Sequence, residues 1–207
     1  MSEHHHHHHT PADWDARYSS SDRIWSGRPN STLVDEVFDL APGRALDVGC
    51  GEGADAVWLA RQGWQVSALD PSSVALERAQ RAAAEAGVDI SWWLGQLRDT
   101  DLPLESFDLV SSFYAPLPVE HEPIARLMSL VAPGGTLLIV HHADFPEHHA
   151  ARPGDVATML SPALAAEFLS GDNDWTLRVN ETRERAVEGG SGTFHGDDYV
   201  VKAVRSA

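Results

Sequence analysis

The chain is poor in cysteine, in lysine and in positive charge. Cys50 is its single cysteine, so no disulfide can close within the chain, which fits a reducing compartment and predicts a cytoplasmic location. Lysine occurs once, at Lys202, and Lys plus Arg number 15 against 31 Asp plus Glu, a formal net charge of −16. Such an acidic surface repels phosphate backbones, so neither nucleic acid nor an anionic membrane is expected as a partner. No apolar run reaches the roughly 18–20 residues of a membrane-spanning helix. There is no internal repeat, no secretory signal after the first residues, and no low-complexity tract beyond a run of histidines.

That run belongs to MSEHHHHHH (1–9), an expression tag outside the fold. The native histidines are then His121, His141, His142, His148, His149 and His195. Residues 10–207 have the size of one domain, and a hydrophobic content of 43% is ordinary for a globular chain.

From Arg44 onward, strand-like and helix-like stretches alternate. RALDVG (44–49), QVSALD (65–70), ISWWLG (90–95), FDLVSSFY (107–114) and TLLIVHH (136–142) read as strands. ADAVWLARQG (54–63), SSVALERAQRAAAEAG (72–87), EPIARLMSLVAPGG (122–135) and SPALAAEFL (161–169) read as helices with serine, proline and glycine at their ends. This alternation predicts an α/β fold with a parallel sheet covered on both faces. WTLRVNETRERAV (175–187) and DYVVKAVR (198–205) have no helix between them and predict an antiparallel pair at the sheet edge. Residues 10–42 form an N-terminal lid or helices, and 43–207 the sheet core. The connection 143–160 is long enough to carry function.

The first strand runs into LDVGCGEGADAVWLA (46–60). Gly49, Gly51 and Gly53 allow close approach of backbone to a ligand at the carboxyl edge of the sheet. Taken alone, they equally suit a tight strand–helix turn with nothing bound. Asp70 ends the second strand, 19 residues after Gly51, where a carboxylate can accept from both hydroxyls of a ribose or cap the following helix. Dinucleotide-binding turns usually read G-x-G-x-x-G, with a pyrophosphate at the helix N-terminus. Here the third glycine comes one position early, and Glu52 would repel a diphosphate.

LDVGCGEG, with ALDPS, LGQLRDTDLPLESFDLVSSFY and LVAPGGTLLIV in order, resembles the class I S-adenosylmethionine-dependent methyltransferases over about residues 33–142. The resemblance implies a Rossmann-like, doubly wound, seven-stranded sheet of order 3-2-1-4-5-7-6 with strand seven antiparallel. It implies S-adenosylmethionine as cofactor and S-adenosylhomocysteine as product. It places Asp47 at the methionine end, where a carboxylate offsets the ammonium and sulfonium charges. Gly49, Cys50 and Gly51 form the cofactor turn. Asp70 is placed on the ribose, and Pro71 and Ser72 lie beside the adenine. Many relatives carry Asp after the glycine that follows strand three. This chain has Gln96 there, whose amide oxygen can accept the adenine amino group, with Leu97 completing the slot. Ser112, Phe113 and Tyr114 lie beside the transferable methyl.

For Cys50 at a helix N-terminus, the reading favoured over an activated nucleophile is a small residue filling the turn. Tyr114, residues 115–121, His141, His142 and 143–160 are expected to wall a substrate pocket. Trp14, Tyr18 and Trp25 give the N-terminal segment an aromatic face, as a lid carrying Tyr18 and Trp25 into the pocket or as a docked surface helix. His142, ending strand five, is the first candidate general base, with His195 and His121 behind it. H-H-x5-H-H (141–149) lacks a matched carboxylate–His helix motif, so no metal site is expected. The expected activity is methyl transfer to O, N or S of a small molecule. The competing classes are a nicotinamide-dependent oxidoreductase and a non-catalytic S-adenosylmethionine-binding protein.

Overall fold

The computed structural model describes residues 10–143, 159–184 and 196–207. Its strands are β1 (Arg44–Val48), β2 (Gln65–Asp70), β3 (Ile90–Leu94), β4 (Phe107–Phe113), β5 (Val131–His142), β6 (Trp175–Glu184) and β7 (Asp197–Arg205). They form one sheet of order β3-β2-β1-β4-β5-β7-β6. β1 to β5 pair in parallel, and β7 runs antiparallel to both β5 and β6. The predicted strand order and the reversed last strand are therefore both present.

Helices α1 (Pro11–Ser19), α2 (Ser31–Val37), α3 (Ala54–Arg61), α4 (Ser73–Ala86), α5 (Pro123–Leu130) and α6 (Pro162–Ser170) lie between and before the strands. The period-2 alternation of β5 sorts the core into two layers. Leu137 and Ile139 join Ile124, Leu127 and Leu169 of α5 and α6 on one face. Leu138 and Val140 join Leu33, Val37, Ala56 and Leu59 of α2 and α3 on the other. Burying each such leucine contributes about 1.5–3 kcal/mol. No helix among the described residues is long and apolar enough to cross a membrane.

One boundary differs from the sequence reading. The helix expected over 122–135 ends at Leu130, and Val131 already pairs with Phe107 in the sheet. Pro133, Gly134 and Gly135 make an irregularity inside β5, where the register shifts between Phe107 and Leu109 and Gly134 takes φ +77°. A Pro-Gly-Gly string reads as a stop, yet a bulge absorbs the same residues.

The N-terminal segment is docked onto the sheet's ligand end by a series of side chains. Asp15 of α1 accepts from the Ser72 hydroxyl at 2.6 Å and from the Val74 N–H at 3.2 Å. Arg78 of α4 donates to the carbonyls of Tyr18 and Ser21, each at 2.7 Å. Asp55 accepts from the Asn30 N–H at 2.7 Å and its side-chain amide at 2.6 Å. Glu36 of α2 meets Arg183 at 2.6 Å and Lys202 at 3.1 Å, tying α2 to the last two strands.

Gly53 fixes how α3 leaves the turn. It stands at the N-cap with φ +81°, and a Cβ there would lie 2.7 Å from the Ala79 Cβ of α4. The third glycine thus has a packing function one position early. Gly53→Ala combines left-handed strain with an α3–α4 overlap. It is expected to cost about 2–4 kcal/mol and lower Tm by about 5–10 °C. A thermal melt within about 1 °C of the parent refutes this account.

Candidate functional site

The turn after β1 spends its own donors. The N–H groups of Gly49 and Cys50 donate to the Leu69 carbonyl at 2.8 and 3.1 Å. Gly51 donates to Asp70 Oδ2 at 2.8 Å, and Gly53 to the Cys50 carbonyl at 2.9 Å. A phosphate cradle needs such groups pointing at the ligand. Glu52 does not act here as the unpaired repelling charge that the sequence suggests. It pairs with Arg78 at 2.8 Å and accepts from the N–H groups of Ile24 and Trp25 at 3.2 and 3.0 Å. The case against a diphosphate therefore rests on the committed N–H groups.

Three carboxylates converge on this turn. Asp47 is 2% exposed, and its Oδ2 has no hydrogen-bond partner among the described residues. Burial first, then the charges of Asp55 and Asp70, push its carboxyl well above the usual range. Burial also raises Asp55, against the two bonds from Asn30. Asp70 is raised to about 6 by burial, against the backbone N–H groups of Ser72 and Gly51 that hold its charged form. A buried carboxylate with an open oxygen is costly unless a cation meets it. The turn thus favours a ligand that brings positive charge and no phosphate.

The other predicted residues surround this point unevenly. Burial, followed by Asp47 and Asp70, raises the Cys50 thiol well above its usual value, so it carries no thiolate nucleophile at neutral pH. Pro71 is half-buried at the end of β2. The Ser72 hydroxyl is engaged twice, donating to Asp15 and accepting from Ala75 N–H at 3.1 Å as the α4 cap. The loop after β3 is held at the end of β2, with the Gly95 N–H on the Asp70 carbonyl at 3.1 Å. There the Gln96 carbonyl accepts from Thr100, while Leu97 points into the layer beside Leu102 and Leu160. Ser112 and Phe113 are buried at the end of β4, Phe113 packing with Leu138 and Val140.

Tyr18 and Trp25 do reach the turn. The Trp25 indole donates to the Tyr18 hydroxyl at 3.0 Å, and a Cβ on Gly51 would lie 2.8 Å from that oxygen. Burial, then Asp70, raises the Tyr18 hydroxyl far above its ordinary value, so it stays protonated.

Tyr114, His141 and His142 gather at the ends of β4 and β5. Tyr114 stacks on His142 with centroids 4.6 Å apart, and the edge of His141 meets Tyr114 at 5.9 Å. Both Tyr114 and His142 face Asp198 of β7, a residue the sequence reading did not single out. His121 lies apart, against Arg98. His148, His149, His195 and nearly all of 143–160 lie outside the described residues.

The raised carboxylates make a signed stability prediction. With Asp70 at about 6 against 3.8, the folded state binds more protons than the unfolded one between those values. That contribution to stability is fully present below pH 3.8 and is lost as pH rises through about 6, a cost on the order of 3 kcal/mol. Asp47 acts in the same direction. Asp47→Asn should therefore raise the Tm of the ligand-free protein by several degrees at pH 7.5 and by less at pH 5. An equal or lower Tm at pH 7.5 in calorimetry contradicts the assignment.

In sequence and in fold the chain is similar to known methyltransferases. A family model described as "Methyltransferase domain" matches residues 45–135. An uncharacterized methyltransferase of Mycobacterium tuberculosis is 37% identical over 122 residues, 58% of this chain and 61% of the relative. The chain thus spans about three fifths of that relative's length. A ubiquinone biosynthesis O-methyltransferase of Alkalilimnicola ehrlichii is 31% identical over 145 residues, 64% of this chain and 53% of its own. A ribosomal RNA small subunit methyltransferase C of Alcanivorax borkumensis is 31% identical over 115 residues, 51% of this chain and 34% of its own. A structure determined for the conversion of a disulfide bond into a thioacetal group during echinomycin biosynthesis aligns with TM-score 0.75 and 21% identity, over 95% of this chain and 92% of that one. In sheet order and in the match over residues 45–135, the chain is similar to the class I S-adenosylmethionine-dependent methyltransferases.

Proposed function

We propose that the protein transfers a methyl group from S-adenosylmethionine to an O, N or S atom of a small-molecule acceptor. The observation that carries the cofactor reading is Asp47, buried at the glycine turn with one oxygen unpartnered among the described residues. When bound, S-adenosylmethionine supplies an electrophilic methyl on a sulfonium, and the chain supplies position, desolvation and a proton acceptor.

Asp47 offsets the ammonium and sulfonium charge. The carbonyls and close backbone of Gly49, Cys50 and Gly51 line the turn. Each oxygen of Asp70 already takes one backbone N–H and keeps lone pairs for the ribose hydroxyls. Pro71 gives the adenine an apolar edge, with Ser72, Gln96 and Leu97 beside it. Ser112 and Phe113 border the methyl end. Tyr18, Trp25, Tyr114 and His141 wall the acceptor, and His142 takes its proton.

Two features favour a small acceptor. A net charge of −16 opposes an RNA, and the ribosomal relative matches over only 34% of its own length. The committed N–H groups of the turn weigh against a nicotinamide dinucleotide.

Calorimetric titration separates the classes. S-adenosylhomocysteine should bind in the micromolar range, and Asp47→Asn should weaken it at least tenfold, about 1.4 kcal/mol. Tight binding of NAD with none of S-adenosylhomocysteine sinks the cofactor reading. A panel of phenols, thiols and amines with labelled methyl donor tests turnover. Binding without turnover across that panel supports a non-catalytic protein instead.

A further inference from the structure

Asp198 is 2% exposed and lies where β5 and β7 face each other, in register with His142. Its Oδ2 accepts from the Tyr114 hydroxyl at 2.6 Å, and its Oδ1 stands 3.5 Å from His142 Nδ1. The Tyr114 and His142 rings stack with an interplanar angle of 26°, so two aromatic side chains present their polar ends to one carboxylate. The His142 backbone N–H donates to His141 Nδ1 at 2.9 Å, which fixes the second imidazole beside the first.

The backbone at Tyr114 is itself strained. Its φ is +54°, a conformation costing a bulky residue about 1–2 kcal/mol. Tyr114 N–H is held on the Val140 carbonyl at 2.9 Å, and the next residue, Ala115, abuts the turn. A Cβ on Gly49 would lie 2.7 Å from the Ala115 Cβ. The cluster therefore sits against the glycine turn, at the carboxyl ends of β4 and β5, where ligands bind in such sheets.

We propose that Asp198 is a positioning residue for His142, directing the Nδ1–H of a neutral imidazole to the carboxylate so that Nε2 keeps the lone pair that receives the acceptor's proton. Tyr114 holds the carboxylate in place from its other oxygen. The 3.5 Å separation is longer than a closed hydrogen bond, as is common before a ligand tightens such a site. In the transfer, the acceptor heteroatom bonds to the methyl carbon as the carbon–sulfur bond breaks, with that electron pair remaining on sulfur. The acceptor's proton passes to Nε2. One positive charge is lost at sulfur and one appears on the imidazole, beside Asp198, and it leaves to solvent as a proton. A carboxylate so placed selects the tautomer and stabilises the imidazolium.

This assignment rests on the methyl-transfer reading for its catalytic meaning, while its geometry is testable without turnover. Nitrogen-15 shifts of the His142 ring, assigned by their loss in His142→Gln, report which nitrogen carries the proton in the ligand-free chain. The expected result is Nδ1–H in the parent, a shift toward Nε2–H in Asp198→Asn, and recovery of Nδ1–H in Asp198→Glu. An Nε2–H imidazole in the parent, or no change in folded Asp198→Asn, overturns the proposal. If Asp198→Asn does not fold, the parent tautomer still decides. With an acceptor from the panel, Asp198→Asn should lower kcat about 100-fold or more while KM changes less than about threefold and S-adenosylhomocysteine binding holds. An unchanged kcat, or a loss confined to KM, also overturns it. Failure of the parent to bind S-adenosylhomocysteine would instead reject the methyl-transfer reading and leave the tautomer result standing.

Discussion

The ligand end of the sheet depends on one carboxylate, Asp70. Its Oδ2 takes the Gly51 N–H and its Oδ1 the Ser72 N–H, each at 2.8 Å. That single group links the turn after β1 to the start of α4. Ser72 in turn binds Asp15, so α1 is registered against the same point. Burying a carboxylate is costly, and charge-assisted bonds from backbone N–H groups offset part of that cost. Both bonds come from the backbone, so the carboxylate fixes the path of the chain rather than a pair of side chains.

The acidity of the chain acquires a specific meaning here. Glu52 and Asp55 accept from the backbone of residues before β1, and Asp15, within that segment, accepts from the Val74 N–H of α4. Asp47 differs, because one of its oxygens is left without such a donor among the described residues. Among neighbouring carboxylates, the satisfied ones hold the backbone in place, and the remaining one is the residue proposed to meet the cofactor's positive charge. The same logic separates Asp198 from a surface charge, since it is buried with a phenol on one oxygen and an imidazole near the other.

Much of the architecture was legible from local patterns. Alternating strands and helices, with a helixless pair at the end, correspond to the parallel strands and the antiparallel last pair observed, while the strand order followed from the family resemblance. Asp47 and Asp70 stood out because the turn and its spacing are contiguous in sequence. The end of α5 was misplaced because Pro133-Gly134-Gly135 terminates a helix and bends a strand with equal ease. Asp198 was invisible for a different reason. It lies 84 residues from Tyr114, and only the antiparallel register of β7 brings it opposite His142. The anchors Asp55 and Arg78 likewise acquire their roles from a segment tens of residues away.

Lys202 carries a practical consequence. It donates to the Glu36 carbonyl at 2.6 Å and lies 3.1 Å from the Glu36 carboxylate, with 17% of its side chain accessible. An acylating reagent therefore meets one lysine in the chain, and that one is enclosed against α2, so labelling it requires α2 to lift away from β7.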